Sequence, residues 1–167
     1  TLIKATRQEH PNVLLLDAGD SLYGSQPLTL QSSGKVIVEG MNKLGYDAML
    51  IGDLDLRYGP EVLAQRIAEA SFPVLSANVL RASDKQLVGK PYIITEVGGR
   101  KVGIIGITWD GIDLQDPVLK DNYIVLKADI VLPQYVTEVY RKADIVIVLS
   151  NTGLAEDQRL SSAVPGI

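Results

Sequence analysis

The chain has 167 residues, of which 46% are hydrophobic and 22% are charged, and its net charge is −4. These values are ordinary for one globular domain, and we treat residues 1–167 as a single domain. The sequence has no Lys/Arg cluster, which argues against a nucleic-acid partner because phosphate backbones are held mainly by basic side chains. The absence of cysteine excludes disulfides, zinc–thiolate sites and thiol nucleophiles. No apolar run approaches the roughly 20 residues that span a bilayer, so we expect no membrane insertion.

Strand-length apolar runs alternate with helical patterns in the first half of the chain, which is typical of an α/β domain. Residues 1–10 have the pattern of the end of an amphipathic helix. Strands are predicted at residues 12–16, 48–51 and 73–79. Helices are predicted at residues 34–44, which Gly45 would end as a C-cap, and at residues 61–70, where Pro60 suits the first helical turn.

Two β-rich runs, residues 91–97 and 101–108, flank Gly98-Gly99 and predict an antiparallel hairpin. Residues 109–123 are rich in Asp, Gly and Pro, so we expect an exposed loop there. A helix is expected at residues 128–143, with its start near Pro133, and a buried strand at residues 144–149 before a polar turn at residues 150–153. A doubly wound sheet would fit the alternation. However, the hairpin requires antiparallel pairing, which favours a mixed sheet or two packed sheets.

Polar side chains follow three of the predicted strands; they are Asp17 and Asp20, Asp53 and Asp55, and Ser150 and Asn151. Ligands of α/β sheets gather at the carboxyl ends of strands, and oxygen ligands suit a hard cation such as Mg²⁺ or Ca²⁺. The other interpretation is that these residues only form the turns after strands, and their turn preferences favour it on spacing alone. The single histidine, His10, precedes the first strand. We expect it at the surface, so no Ser–His–Asp arrangement is available.

Six collinear motifs cover nearly the whole chain: NVLLLDAGDSLYGS, EGMNKLGYDAMLIGDLDLRYG, FPVLSANV, GKPYIITEVGGRKVGIIGIT, ADIVIVLSNTG and VPGI. This series resembles the calcineurin-like metallophosphoesterases, in the branch of 5′-nucleotidases and periplasmic cyclic phosphodiesterases. The resemblance implies a four-layer α/β/β/α sandwich with mixed sheets, phosphate-ester hydrolysis at two metal ions, and a periplasmic or extracellular location. The family's D-x-H and G-H-x-H motifs would lie before Thr1 and after Ile167, so we expect a partial domain, truncated at both ends.

This chain departs from the family at the positions that the resemblance assigns to catalysis. Asp20 matches the aspartate that bridges two metal ions in the family. The family motif G-N-H-E-F-D-Y-G corresponds to residues 52–59, so Asp53 stands at a metal-binding Asn and Leu54 at the catalytic His. Asn151 stands at the metal-binding His of L-S-H-x-G. No catalytic residue is therefore predicted, because a leucine side chain can neither donate a proton nor hold a phosphoryl oxygen.

The resemblance thus implies a degenerate site in which Asp20, Asp53 and Asn151 are vestigial metal ligands, able at most to bind Mg²⁺ or Ca²⁺ weakly. One alternative is that Asp20 and Asp53 only cap turns. Another is that Arg57, which stands where the family has Asp, pairs with Asp53 or Asp55 and replaces the metal charge with a salt bridge. We hypothesise an inactive scaffold or binding module for an unidentified protein or small molecule. The alternative is an active nucleotide phosphoesterase whose missing ligands come from outside this chain. An exposed edge strand would also allow a homodimer.

Overall fold

The structure, a computed structural model, describes residues 2–111 and 115–167. The helices in these residues are α1 (Leu2–Glu9), α2 (Pro27–Gln31), α3 (Lys35–Leu44), α4 (Gly59–Glu69), α5 (Pro117–Asn122), α6 (Ala128–Tyr140) and α7 (Leu154–Ala163). The strands are β1 (Leu16–Asp17), β2 (Ala48–Leu50), β3 (Val74–Leu75), β4 (Val79–Arg81), β5 (Tyr92–Val97), β6 (Arg100–Ile107), β7 (Tyr123–Val125) and β8 (Ile145–Ser150). A 3-10 helix, Asp55–Tyr58, precedes α4.

The strands form two main sheets and one short ribbon. In the first sheet β1, β2 and β3 are parallel and lie in that order. In the second sheet β6 lies between β5, to which it is antiparallel, and β8, to which it is parallel. The ribbon is the antiparallel pair of β4 and β7. The hairpin expected at Gly98-Gly99 is confirmed, because Val97 pairs with Arg100 across two glycines that both have positive φ, as a type I′ turn requires.

Three separate hydrophobic clusters show that the two main sheets pack face to face between helices. The cluster between the sheets contains Ala48, Leu50, Leu75, Val102, Ile104 and Leu149. The neighbouring residues of β6 and of the β2 segment point the other way, Met49 and Ile51 towards α3 and α4, and Ile105 and Ile107 towards α6 and α7. This alternation places one layer of helices outside each sheet. The expected four-layer α/β/β/α sandwich is therefore confirmed, with one parallel sheet and one mixed sheet.

Gly106 in β6 allows the two sheets to approach each other near their carboxyl ends. A β-carbon at this position would lie 2.7 Å from the β-carbon of Leu75, closer than real side chains allow. Backbone hydrogen bonds cross between the sheets at the same point, since the Ala77 N–H donates to the Gly106 carbonyl at 2.8 Å. The polar residues that follow the strands of both sheets are thus brought to one edge of the sandwich.

Some of the predicted elements need correction. The strand predicted at residues 12–16 begins only at Leu16, and the one predicted at residues 73–79 is two short strands, β3 and β4. Residues 109–123 are not an exposed loop throughout, because Asp116 caps α5 through the Val118 N–H at 2.9 Å and Leu119 is fully buried. Residues 112–114 of that predicted loop lie outside the described residues. The sequence patterns also did not predict α2, β7 or α7.

The last predicted helix and strand are both present, but the start of the helix and the burial of the strand differ from the prediction. Helix α6 begins at Ala128 rather than near Pro133, because Asp110 accepts the Ala128 N–H at 2.8 Å and Pro133 lies inside the helix. Strand β8 is less buried than predicted, with Ile145 48% exposed, since it forms an edge of the second sheet. In the part of the chain that the structure describes, no helix has the length and apolar character needed to cross a bilayer.

Candidate metal centre

The three predicted site residues come together where β1, β2 and β8 end. Oδ2 of Asp20 accepts a hydrogen bond from Nδ2 of Asn151 at 3.0 Å. Oδ1 of Asn151 accepts the backbone N–H of Asp53 at 3.3 Å. The backbone N–H of Leu54 donates to Oδ1 of Asp20 at 3.0 Å. Residues from three loops, far apart in the sequence, therefore share one hydrogen-bonded group.

Two glycines allow the loops that carry Asp20 and Asp53 to touch. A β-carbon at Gly52 would overlap the Asp20 carboxylate, and one at Gly19 would lie 2.8 Å from the Gly52 nitrogen. Asp20 itself has a left-handed φ of 61°, which few non-glycine residues adopt. A larger residue at either glycine would therefore move Asp20 away from the residues it contacts.

Asp55 is the buried support beneath these loops. Its side chain is fully buried, and its carboxylate accepts the backbone N–H groups of Asp20 at 3.0 Å, Gly52 at 2.9 Å and Leu22 at 2.8 Å. Burial raises the pKa of Asp55 from 3.8 to about 7, although the N–H donors act in the opposite direction. Asp55 thus joins the loop after β1 to the loop after β2. The name carboxylate cluster is used below for Asp20, Asp53, Asp55 and Asn151.

Arg57 does not neutralise this cluster through an ion pair. Burial raises the pKa of Asp53, the charge of Asp20 adds to the rise, and the charge of Arg57 offsets it only in part. Within residues 2–111 and 115–167, the ion pair of Arg57 is formed with Asp116, with Nη1 and Oδ2 3.9 Å apart. The hypothesis that Arg57 pairs with Asp53 or Asp55 is therefore wrong, because the unpredicted helix α5 brings Asp116 to it.

The other candidate residues behave as turn or surface residues. Asp17 accepts hydrogen bonds from the Gly19 N–H at 3.0 Å and from the Ser21 hydroxyl at 2.7 Å, both within its own turn. The Ser150 hydroxyl lies 3.0 Å from that of Thr152. His10 is exposed after α1, as predicted. The turn interpretation therefore suits Asp17 and Ser150, whereas Asp20, Asp53 and Asn151 form contacts between loops.

A second polar group, which the sequence analysis did not single out, follows β3 and β6. Asn78 accepts the Thr108 N–H at 2.9 Å and donates to the carbonyls of Thr108 at 2.8 Å and Leu126 at 3.1 Å. The Thr108 hydroxyl donates to the Ile51 carbonyl at 2.7 Å and lies 3.1 Å from the Ser76 hydroxyl. Ser76 and Asn78 interrupt an apolar run, which is the signal that could have revealed them. The name neutral network is used below for Ser76, Asn78 and Thr108, all fully buried.

The family resemblance implies two metal ions at the carboxylate cluster, and the described residues do not fit them. In the described ranges, no group of three or more His, Cys, Asp or Glu side chains is placed to hold a metal ion. Both carboxylate oxygens of Asp20 already accept hydrogen bonds, and Asn151 turns its NH₂ group, not its oxygen, towards Asp20. Because a cation binds a side-chain amide through its oxygen and not through its NH₂ group, these residues do not by themselves form a two-metal centre.

Known proteins are similar to this chain in sequence and in fold. A snake venom 5′-nucleotidase from Gloydius brevicauda is 35% identical over 176 residues, which cover 100% of this chain and 29% of that protein. The 5′-nucleotidase precursor from Thermus thermophilus superimposes with a TM-score of 0.81 and 30% identity, over 95% of this chain and 32% of that one. The calcineurin-like phosphoesterase YfkN from Bacillus subtilis gives a TM-score of 0.78 and 30% identity, over 92% of this chain and 52% of that one. No family model matches the chain.

The four-layer sandwich and its similarity to these solved structures give the chain the fold of the calcineurin-like phosphoesterases. Within that class, the chain is homologous to the 5′-nucleotidases, in their metallophosphoesterase domain. The resemblance stated from the sequence motifs is therefore confirmed. The chain spans 29% of the length of the curated venom relative.

Proposed function

We propose that this chain is a metallophosphoesterase-like domain that does not hydrolyse phosphate esters and acts as a scaffold or binding module. Leu54 carries the proposal. Its backbone N–H bonds to Asp20, the residue to which the resemblance assigns the role of bridging aspartate. The resemblance assigns the catalytic His to this position. An aliphatic side chain cannot transfer a proton, and loss of such a group alone lowers rates by about 10²–10⁴-fold.

The charges around the cluster support the same proposal. Phosphate esters are anions, and their hydrolysis requires positive charge to stabilise the transition state. Asp20 and Asp53 supply negative charge, and the guanidinium of Arg57, whose charge acts on Asp53, is paired with Asp116. Burial raises the pKa of Asp53, and the neighbouring negative charge of Asp20 raises it further. The described side chains of the cluster therefore present negative charge to an anionic substrate.

We infer that the partner is a protein or a small molecule rather than a nucleic acid, because the chain carries a net charge of −4. We also propose an extracellular or periplasmic location, which the venom origin of one relative supports. Immunodetection of the native protein in the secreted, periplasmic and cytosolic fractions tests the location, and recovery in the cytosol alone would contradict it.

The activity is tested with a generic aryl phosphate and millimolar Mn²⁺, with a 5′-nucleotidase as the positive control. We expect the wild-type chain and Asp20→Ala to give the same background rate. Asp84→Ala serves as the matched control, since Asp84 is an exposed carboxylate paired with Arg81 on the β4 side of the molecule.

Manganese-dependent hydrolysis that Asp20→Ala abolishes and Asp84→Ala retains would contradict the proposal. That outcome would instead support the alternative function, an active nucleotide phosphoesterase that receives further ligands from outside this chain.

A further inference from the structure

We propose that the side-chain amide of Asn151 replaces a metal ion as a tie between the strand ends of the two sheets, an inference that rests on the proposed non-catalytic function. Asn151 follows β8 of the second sheet, whereas Asp20 and Asp53 follow β1 and β2 of the first. The amide bonds to Oδ2 of Asp20 at 3.0 Å and to the N–H of Asp53 at 3.3 Å. One neutral side chain therefore joins three strand-end loops.

The two partners determine which way the amide points. The Asp20 carboxylate can only accept, so it takes the NH₂ group, and the Asp53 N–H can only donate, so it takes the amide oxygen. If the amide turned over, oxygen would face oxygen and NH₂ would face N–H. A cation beside Asp20 would need that reversed orientation, because cations bind the amide oxygen. The tie and a metal ion coordinated by Asp20 and Asn151 therefore exclude each other.

The remaining groups around Asp20 are arranged for the same metal-free state. Its Oδ1 accepts the Leu54 N–H at 3.0 Å, and its own N–H donates to Asp55 at 3.0 Å. Hydrogen bonds to charged groups are the stronger kind, so the Leu54 N–H and the Asn151 NH₂ group stabilise the Asp20 carboxylate without a cation. Among the described strands, no backbone pairing joins β1 to β8. The side-chain tie thus joins two strand ends that share no backbone pairing.

Thermal unfolding of the full chain, in EDTA and in millimolar Mn²⁺, tests the tie. We expect Asn151→Ala to lower Tm by about 3–8 °C relative to Asn122→Ala, because it removes two hydrogen bonds between loops. Asn122 is the matched control, a half-buried amide with one bond, at 3.0 Å, to the Val118 carbonyl of its own helix. The wild-type Tm should differ by less than about 1 °C between EDTA and Mn²⁺, since an ion that does not bind the native state cannot stabilise it.

Asn151→Asp provides a second readout. Its carboxylate would face that of Asp20, so we expect a Tm below that of Asn151→Ala in EDTA. With Asp20 and Asp53 it would add a third carboxylate, so Mn²⁺ should raise its Tm where the wild type does not respond.

A wild-type Tm that rises by several degrees in Mn²⁺ would overturn the inference. An Asn151→Ala variant with the same Tm as the Asn122→Ala control would also overturn it. The phosphatase assay reports separately on the proposed function. If the wild type hydrolysed the substrate and its Tm did not change in Mn²⁺, that result would contradict the proposed function but not the absence of a bound metal ion.

Discussion

The neutral network and the carboxylate cluster occupy the same edge of the sandwich but differ in their exposure to solvent. Ser76, Asn78 and Thr108 are fully buried, whereas Asp20 and Asn151 are only half-buried. The two groups are linked through β2, because the Thr108 hydroxyl bonds to the carbonyl of Ile51, the residue before the Gly52 turn. Neutral groups tolerate full burial when they are hydrogen-bonded, while charged groups usually retain contact with water.

Asp55 is the exception in this comparison, a carboxylate that is as buried as the neutral network. It resembles the network in its contacts, since the partners of Asp55 and of Asn78 are backbone groups of neighbouring loops. Polar residues after strands thus serve two purposes here. Those with several buried backbone partners hold the loops in place, and those at the half-exposed surface are the candidates for contact with a partner.

The largest effect should come from the ionisation of Asp55. Because burial raises its pKa from 3.8 to about 7, the folded state binds this proton more tightly than the unfolded chain. Its contribution to stability is therefore fully present below about pH 3.8 and is lost as the pH rises through about 7. We expect the free energy of unfolding to fall by up to about 4 kcal/mol across this range. Urea unfolding at a series of pH values measures it.

Asp55→Asn should remove this pH dependence, and Asp17→Asn, which changes a turn aspartate with two local hydrogen bonds, should retain it. A wild type whose stability rises over the same pH range would show that the three N–H donors outweigh burial. In that case Asp55 would behave as a charged carboxylate, like Asp20 and Asp53, and not as a neutral group like those of the neutral network.

The next effect concerns the neutral network. Asn78→Ala should lower the free energy of unfolding by about 3 kcal/mol, because it leaves the N–H and carbonyl of Thr108 and the carbonyl of Leu126 buried without their partner. Chemical unfolding of this variant beside Asn122→Ala measures the difference. If the two variants had equal stability, full burial would not make the network more important than a local helix bond.

The smallest effect should come from the ion pair beside the carboxylate cluster. Arg57 and Asp116 are 3.9 Å apart with side chains 34% and 21% exposed, so their coupling should be below about 1 kcal/mol. A double-mutant cycle with Arg57→Ala and Asp116→Asn measures it, because asparagine also caps helices and so preserves the start of α5. A coupling well above that value would mean that this pair is an integral part of the cluster.

Local sequence patterns were sufficient for the elements that depend on neighbouring residues. Gly98-Gly99 predicts the hairpin because its type I′ turn needs two residues with positive φ. Gly45 ends α3 as predicted, with a left-handed φ of 69°. The runs that became β3, β4 and the residues around α5 were harder to interpret, because their pairing and capping partners lie elsewhere in the chain.

The sequence by itself determined the chemical capacity of the site: it shows which side chains can accept, donate or coordinate, and that residue 54 cannot transfer a proton. The tertiary structure alone decided which of these groups meet. Asn151 bonds to Asp20 across 131 positions of sequence. Arg57 pairs with Asp116 and not with Asp53 or Asp55, which are nearer in the sequence. The reason is that a hydrogen-bond or ion-pair partner is set by distance in space, which here depends on how two sheets pack against each other.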